Sequence, residues 1–116
     1  MSEIKPTITY DDFVKMDLRV AKVLEVRDHP NADKLLCLTI DLGTERREII
    51  AGLKEYCPPE SLMGKDVVVL VNIQPRKMRG LDSNGMLLVA SHEQDGARKV
   101  VVLTTAGPVP AGSVIS

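Results

Sequence analysis

Short apolar segments, rich in β-branched residues and separated by turn formers, are the feature of this sequence that most restricts its fold. The turn formers are grouped at 29–33, 43–44 and 95–96, where Pro, Asn, Asp and Gly favour tight changes of direction. Many short strands with little helix are typical of an all-β barrel or sandwich. The predicted strands cover residues 18–26, 36–42, 46–51, 66–73, 86–90 and 100–103.

Two of these strands bear on the type of barrel. In the first, the apolar alternation slips near Lys22 and Val23, which predicts a bulge or bend. Segment 66–73 is almost wholly apolar, which predicts a strand buried on both faces. A bent first strand and an insertion before the fourth suit a five-stranded OB barrel of Greek-key type, although periodicity alone also fits another small barrel.

Helix is predicted only in short pieces. Thr9 can cap a helix of about two turns that ends before Asp17. The apolar residues of this helix are Tyr10, Phe13, Val14 and Met16. A second piece, 58–62, reads as a turn that leads into a single helical turn.

The length of the chain leaves room for little more than one compact domain. We expect the 116 residues to form a single domain. Residues 1–9 are predicted to form a flexible arm, and 108–113 a loop in a C-terminal extension. No apolar run approaches a membrane span and no secretory signal opens the chain, so we expect a soluble, cytoplasmic protein.

Neither the cysteines nor the histidines form a pattern typical of a metal or catalytic site. Cys37 and Cys57 lie outside any CxxC pair and are expected to be reduced apolar fillers. His29 and His92 are expected to be solvated loop side chains. No phosphate-binding loop, GxSxG or HExxH motif is present. We therefore predict no catalytic set, no metal and no cofactor.

The distribution of charge points to a possible ligand that the net charge hides. The formal charge is −1, from 15 Lys+Arg and 16 Asp+Glu. Arg76, Lys77 and Arg79 fall within four residues of the predicted loop 74–85, and no acid lies between Asp66 and Asp82. Cations held on a barrel rim can contact phosphates and release counterions. An ordinary solvated surface cluster fits the same pattern.

Two weaker signals flank this basic segment. Arg46, followed by a second arginine, lies at one end of a predicted hairpin, and Lys34 lies at the entry of the neighbouring strand. Directly after the basic segment, Ser83 offers a hydroxyl, Gly85 allows close backbone approach and Met86 is an adaptable apolar contact. A plain strand entry with the methionine in the core is an equal alternative.

The few aromatic residues restrict the kind of nucleic acid that such a surface could bind. The chain has two Tyr, one Phe and no Trp. Binders of single strands usually stack successive bases on several aromatic side chains. Folded RNA is recognised mainly through its shape, phosphates and sugars. The sequence therefore favours structured RNA.

At this point the ordered motifs resemble a known family, the tRNA-binding domain at the C-terminus of methionyl-tRNA synthetases. The resemblance spans about 9–116 and includes the segments Asp17-Leu18-Arg19-Val20, His29-Pro30-Asn31-Ala32-Asp33-Lys34-Leu35, Ile49-Ile50-Ala51-Gly52, Pro75-Arg76-Lys77-Met78-Arg79-Gly80 and Ser83-Asn84-Gly85-Met86. Similar domains occur as free-standing tRNA-binding proteins and in factors related to endothelial monocyte-activating polypeptide.

The resemblance implies an OB fold, often a homodimer, that binds tRNA by shape and largely independently of its sequence. It implies no catalysis by the domain itself, and a synthetase catalytic subunit as a further partner. The tRNA-binding residues implied are Asn72, Arg76, Lys77, Arg79, Ser83 and Met86, with Lys34 and Arg46 as weaker candidates. Ala21 and Ala51 depart from the family's usual Gly and Ser. An alternative is a protein-interaction or chaperone-like module.

Overall fold

The computed structural model describes residues 3–116, and its main sheet curves into a nearly closed barrel. The five barrel strands follow the order β3-β2-β1-β4-β7. They are β1 (Leu18–Asp28), β2 (Leu36–Asp41), β3 (Arg46–Ala51), β4 (Asp66–Leu70) and β7 (Met86–Leu87). The remaining elements are α1 (Tyr10–Phe13), α2 (Pro59–Leu62), the hairpin β5 (Arg76–Met78) with β6 (Leu81–Ser83), the hairpin β8 (Val89–Gln94) with β9 (Ala97–Val102), and β10 (Val114–Ile115).

The long first strand joins the two sides of the barrel. Its first half pairs with β4 and its second half with β2, and both pairings meet at Lys22. The register with β2 shifts between Val23 and Glu25, so the predicted bulge is present one or two residues later than the sequence indicates. A bulge increases local twist and bends the strand, which lets one strand serve both sides.

Alternating apolar residues on the inner faces fill the barrel. On β2 the residues Leu36, Leu38 and Ile40 are fully buried, as their spacing predicts. They pack in one core with Ile49 of β3 and with the inward residues of β4. Inward and outward side chains alternate along a strand, so each of these strands gives one apolar face to the core.

The barrel closes between β3 and the segment that precedes β7. The backbone N–H of Asn84 donates to the carbonyl of Glu48 at 2.9 Å. The Arg47 guanidinium reaches across the same seam and donates to the carbonyls of Val71 (2.7 Å) and Asn84 (3.3 Å). The predicted all-β, OB-type five-stranded barrel is thus confirmed, with β1 and β4 adjacent and β7 facing β3.

Two predictions about the N-terminal region need correction. The helix α1 has one turn, held by a capping box between Thr9 and Asp12, because no second turn of apolar residues is packed on the barrel. Tyr10, one of the apolar residues of the predicted helix, is 75% exposed, so its ring does not pack into the core. Residues 3–9 have no regular secondary structure and are exposed, while residues 1–2 of the predicted arm lie outside the described residues.

Three strand predictions are also wrong in detail. Strand β4 ends at Leu70 and alternates between buried and half-buried residues, because only one of its faces meets the core. The predicted polar loop 74–85 contains the β5–β6 hairpin. The predicted strand 86–90 is divided between β7 and β8 at Leu88. The C-terminal extension ends in β10, which pairs with the start of β1.

Candidate nucleic-acid interface

The basic segment forms a tight hairpin that projects beside the barrel seam. Strands β5 and β6 pair through Arg76–Ser83, Lys77–Asp82 and Met78–Leu81. Arg79 and Gly80 form the turn, with φ of 54° and 91°. Two consecutive positive φ angles match the type I′ turn that suits the twist of a two-residue hairpin. The hairpin therefore places the guanidinium-bearing Arg79 at its tip.

Strand alternation divides the hairpin's cations between its two faces. Arg76 and Met78 face a cleft beside the barrel, whereas Lys77 lies on the other face. There the Lys77 ammonium lies 3.8 Å from the Asp82 carboxylate, which belongs to the neighbouring strand. Because successive side chains of a strand point to opposite sides, the three cations that are adjacent in sequence do not form a single patch.

We name the cleft beside Arg76 the hairpin cleft. It has a volume of about 560 Å³ and lies between the β5–β6 hairpin, the β8–β9 hairpin and the segment 50–56. Its walls combine apolar side chains with cations from three separate elements. These walls include Lys34, Glu55, Tyr56, Arg76, Met86 and Arg98.

A second, shallower concavity, which we name the rim groove, lies on the other side of the chain segment 73–74. Its volume is about 900 Å³. It is lined by Arg46 of β3 and by Asn72 and Pro75, and Ile73 and Gln74 line both concavities. The hairpin cleft and the rim groove are therefore adjacent, and together they form the candidate face.

The structure brings most of the sequence-predicted residues to this face. Lys34, Arg76, Ser83 and Met86 line the hairpin cleft, and Arg46 and Asn72 line the rim groove. Lys77 and Arg79 lie on the hairpin outside both. Ala51, which replaces the family's usual Ser, also lines the hairpin cleft, while Ala21 is fully buried in β1.

Ser83 has a supporting position within the structure. It is 4% exposed, and its hydroxyl accepts from the Ile50 N–H at 2.9 Å and donates to the Gly85 carbonyl at 3.0 Å. Gly85 has φ of 143°, and a Cβ there would lie 3.3 Å from the Leu70 carbonyl oxygen. The close backbone approach expected at Gly85 is therefore made to the Leu70 backbone of the barrel. The two hydrogen bonds of the Ser83 hydroxyl fix the end of β6 to β3.

Asn72 connects the rim groove to the segment before β1. Its side-chain carbonyl accepts from the Asp17 N–H at 2.8 Å, and its amide donates to the Lys15 carbonyl at 2.7 Å. Both functional groups of the side chain are therefore engaged with backbone. Asn72 therefore holds the segment before β1 against the edge of the candidate interface.

We expect Asn72→Ala to lower the free energy of unfolding by about 1 kcal/mol, because two solvent-accessible backbone groups exchange a protein partner for water. Denaturant unfolding measures this change, and Asn84→Ala is the matched control, since no side-chain hydrogen bond of Asn84 occurs within residues 3–116. A loss of tRNA affinity with unchanged stability would instead show that Asn72 acts by direct contact.

His29 is buried, which corrects the expectation of a solvated loop histidine. It is 5% exposed; its Nδ1 accepts from the Asn31 N–H at 2.9 Å, and its Nε2 lies 3.0 Å from the Met78 carbonyl. A carbonyl can only accept, so Nε2 carries the proton and donates. The imidazole therefore ties the first long loop to the β5 strand and fixes where the hairpin sits.

The arginines that lack an ion pair are gathered around the two concavities, although this face also holds the pairs Lys34–Glu55, Arg47–Glu45 and Lys77–Asp82. Elsewhere carboxylates lie within ion-pair distance of cations such as Arg19, Arg27 and Lys54. Within residues 3–116, the cations without an ion pair are Lys5, Arg46, Lys65, Arg76, Arg79, Arg98 and Lys99. All the arginines in this set lie on the β5–β6 hairpin or line the two concavities. A near-neutral chain thus has a locally positive face.

Sequence reasoning missed two residues of the hairpin cleft. Arg98 comes from β9, and its guanidinium carbon lies 6.0 Å from the centre of the Tyr56 ring. Tyr56 is half-buried against the core. The predicted strand begins only at residue 100, whereas β9 begins at Ala97, and the folded position of the β8–β9 hairpin brings Arg98 to the cleft.

The two cysteines are free thiols of low reactivity. Cys37 is buried and Cys57 half-buried, and burial raises the pKa of both thiols. Both therefore stay protonated and poorly nucleophilic at neutral pH. No cluster of three His, Cys, Asp or Glu suited to a metal occurs in residues 3–116. In the same part of the chain no helix has the length and apolarity to cross a membrane.

Comparison with known proteins places these features in a family. The family model described as "Putative tRNA binding domain" matches residues 18–114. The methionine–tRNA ligase of Chloroherpeton thalassium is 50% identical over 112 residues, which are 97% of this chain and 16% of that protein. The Thermotoga maritima ligase is 50% identical over 109 residues, 94% of this chain and 17% of that protein. The chain thus spans about a sixth of the length of these relatives.

Solved structures agree with the sequence comparisons. A MetRS-related protein from Pyrococcus horikoshii superposes with a TM-score of 0.87 at 34% identity, covering 97% of this chain and all of that one. The chaperone CsaA from Bacillus anthracis superposes with a TM-score of 0.82 at 28% identity, covering 96% of this chain and all of that one. With the family model matching most of its length, the chain belongs to the tRNA-binding domain family.

Proposed function

We propose that this domain binds tRNA through the face formed by the hairpin cleft, the rim groove and the β5–β6 hairpin. The observation that carries the proposal is the ion-pair map: Arg46 in the rim groove, Arg76 in the hairpin cleft and Arg79 in the hairpin turn all lack a carboxylate within ion-pair distance. Arginine guanidinium groups match phosphate geometry well. The domain does no chemistry itself and supports aminoacylation by a methionyl-tRNA synthetase in the cytoplasm.

Recognition by shape follows from what the face presents. Its charged groups are guanidinium and ammonium groups from separate elements together with the carboxylates of Glu45, Glu48 and Glu55, and Tyr56 is the aromatic residue that reaches it. The other two aromatics, Tyr10 and Phe13, lie together in α1 with ring centres 6.5 Å apart. Without a row of stacking platforms, binding depends on the spacing of phosphates across a folded RNA. Affinity is then largely independent of nucleotide sequence.

The small number of free cations limits the affinity of one copy. Each phosphate that a cation neutralises adds a salt-sensitive contribution to the binding free energy. A single domain offers only a few cations for such contacts. Two linked copies that contact the same tRNA gain through effective concentration. A homodimer is therefore the arrangement in which this face binds usefully at physiological salt.

Exposed apolar residues in the two terminal segments support this homodimer. Tyr10 and Val14 are 75% and 52% exposed near α1, and Val114 in β10 is 67% exposed. β10 pairs with the first residues of β1, which follow the α1 segment, so both segments lie near the start of that strand. Apolar side chains exposed together are typical of protein interfaces.

We expect Val114→Asp to convert the dimer to a monomer of 12.7 kDa, because a carboxylate cannot be buried unpaired in an apolar contact. Light scattering measures the mass. Val101→Asp is the matched control, since Val101 is similarly exposed at 57% but lies on the distant β8–β9 hairpin. A wild-type mass equal to one chain would contradict the dimer.

A competition experiment tests the proposed function. Labelled tRNA is bound to the protein and displaced with unlabelled tRNA, a single-stranded RNA of equal length, or a peptide of apolar sequence. The proposal predicts that unlabelled tRNA competes much better than the single strand. Equal competition by the single strand contradicts recognition by shape.

The same exposed apolar residues favour a second candidate, a protein-interaction or chaperone-like role. The overall similarity to the CsaA chaperone structures fits this alternative. If the apolar peptide, or a methionyl-tRNA synthetase catalytic subunit, binds while tRNA does not, the protein-interaction role replaces tRNA binding. Retention of both tRNA and the subunit supports a docking module that carries tRNA to the synthetase.

A further inference from the structure

We propose that the hairpin cleft binds one unstacked nucleotide of the tRNA, with its phosphate between Arg76 and Arg98 and its base against Tyr56 and Met86. This inference rests on the proposed tRNA binding and adds a base-binding site to a face otherwise suited to phosphates. The cleft's size, its charges and the placement of its aromatic ring support this assignment.

The size and lining of the cleft suit a nucleotide. Its volume of about 560 Å³ lies within the range of pockets that bind small ligands, roughly 300–1,000 Å³. Ile50, Leu53 and Val100 contribute to its apolar lining, and Met86 is 43% exposed at its edge. An apolar floor with a few polar groups at the rim matches the division of a nucleotide into a flat base and a charged phosphate.

The charges around the cleft favour an anion. Arg76 and Arg98 enter from different hairpins and have no ion pair within residues 3–116. Glu93, which pairs with Arg98 in the β8–β9 register, does not form an ion pair with it. Glu55 also lines the cleft, where its carboxylate lies 3.6 Å from Lys34. The cleft thus has three cations and one paired acid, a balance that suits a phosphate.

The aromatic ring lies in the wall of the cleft beneath the Arg98 guanidinium. Tyr56 is half-buried against the core, and the Arg98 guanidinium lies over its ring at 6.0 Å. Bases stack on aromatic rings and on guanidinium planes, which is worth about 1–3 kcal/mol per base. One such platform lines this cleft, so we infer a single nucleotide and not a run of single strand.

Fluorine NMR on the whole domain labelled with 3-fluorotyrosine tests this inference. The chain has two tyrosines: Tyr56 lines the cleft and Tyr10 lies in α1, so the Tyr10 signal is an internal control. We expect tRNA to shift the Tyr56 signal and leave Tyr10 unchanged, whereas a fully paired RNA duplex should shift neither. A gel shift on the same samples reports whether each RNA binds.

A matched pair of variants gives the energetic test. Arg98 and Lys99 are neighbours on β9, both exposed and without an ion pair, but only Arg98 lines the cleft. We expect Arg98→Gln to weaken tRNA binding roughly ten-fold, and Lys99→Gln to change it by less than about two-fold.

The outcomes separate this inference from the proposed function. If tRNA binds but the Tyr56 signal does not move and the two variants bind alike, the cleft holds no nucleotide and the tRNA-binding proposal stands. If no gel shift occurs, both are wrong. If an apolar peptide shifts Tyr56 while tRNA does not, the cleft is a peptide site and the inference is overturned.

Discussion

Replacing Arg46, Arg76 and Arg79 together by Gln should weaken tRNA binding roughly a hundred-fold at physiological salt. Each of the three arginines lacks an ion pair and lies on the proposed face. The loss of about 1 kcal/mol for each phosphate contact gives this factor. Fluorescence anisotropy with labelled tRNA measures the affinity. All three side chains are exposed, so stability should change little.

The chain provides a control with the same change in net charge. Lys5, Lys65 and Lys99 also lack an ion pair within residues 3–116, but they lie in the N-terminal segment, before β4 and on the outer face of β9. Replacing these lysines by Gln should cost no more than about three-fold, because only nonspecific attraction is reduced. Equal losses in the two triple variants would show that tRNA responds to net charge and not to this face.

Gly112→Ala should cause a large loss of stability. The C-terminal segment crosses the β2–β3 turn so closely that a Cβ at Gly112 would lie 2.2 Å from the Leu42 carbonyl oxygen, and φ there is +91°. The Gly112 N–H also donates to the Val20 carbonyl at 2.7 Å. Displacing this crossing should cost about 3 kcal/mol or more, which lowers Tm by roughly 10 °C.

Gly96→Ala is the matched control for this substitution. Gly96 also has a positive φ, +78°, but nothing lies within 4 Å of its Cβ position. Its substitution should cost about 1 kcal/mol, the strain of the backbone conformation alone. Thermal or urea unfolding measures both variants. If Gly112→Ala is no less stable than Gly96→Ala, the C-terminal segment does not dock as described.

Local periodicity explains why the barrel could be predicted. The alternation of Leu36, Leu38 and Ile40 indicates a strand with one inward face, and the bend in β1 leaves a slip in its pattern. Both signals are properties of short windows of sequence. By contrast, β5 and β6 have three residues each, too few and too polar to show a period, so the hairpin was missed.

The candidate site could be predicted only in part, for a different reason. Arg76 and Arg79 are visible as a cluster because they are adjacent in sequence and lack nearby acids. Whether a polar side chain faces solvent depends on distant partners: the Ser83 hydroxyl and the Asn72 amide are engaged with backbone. Arg98 reaches the cleft only through the folded β8–β9 hairpin.

The salt dependence of tRNA affinity tests the central claim most directly. Four unpaired arginines lie on the proposed face, Arg46, Arg76, Arg79 and Arg98, and each phosphate neutralised contributes about 0.7–0.9 to the slope of log K against log salt. We predict a slope of about −3 to −4 for each bound subunit, reduced by about 2 to 3 in the triple arginine variant. A slope near zero, or the same slope in both proteins, would contradict tRNA binding through this face.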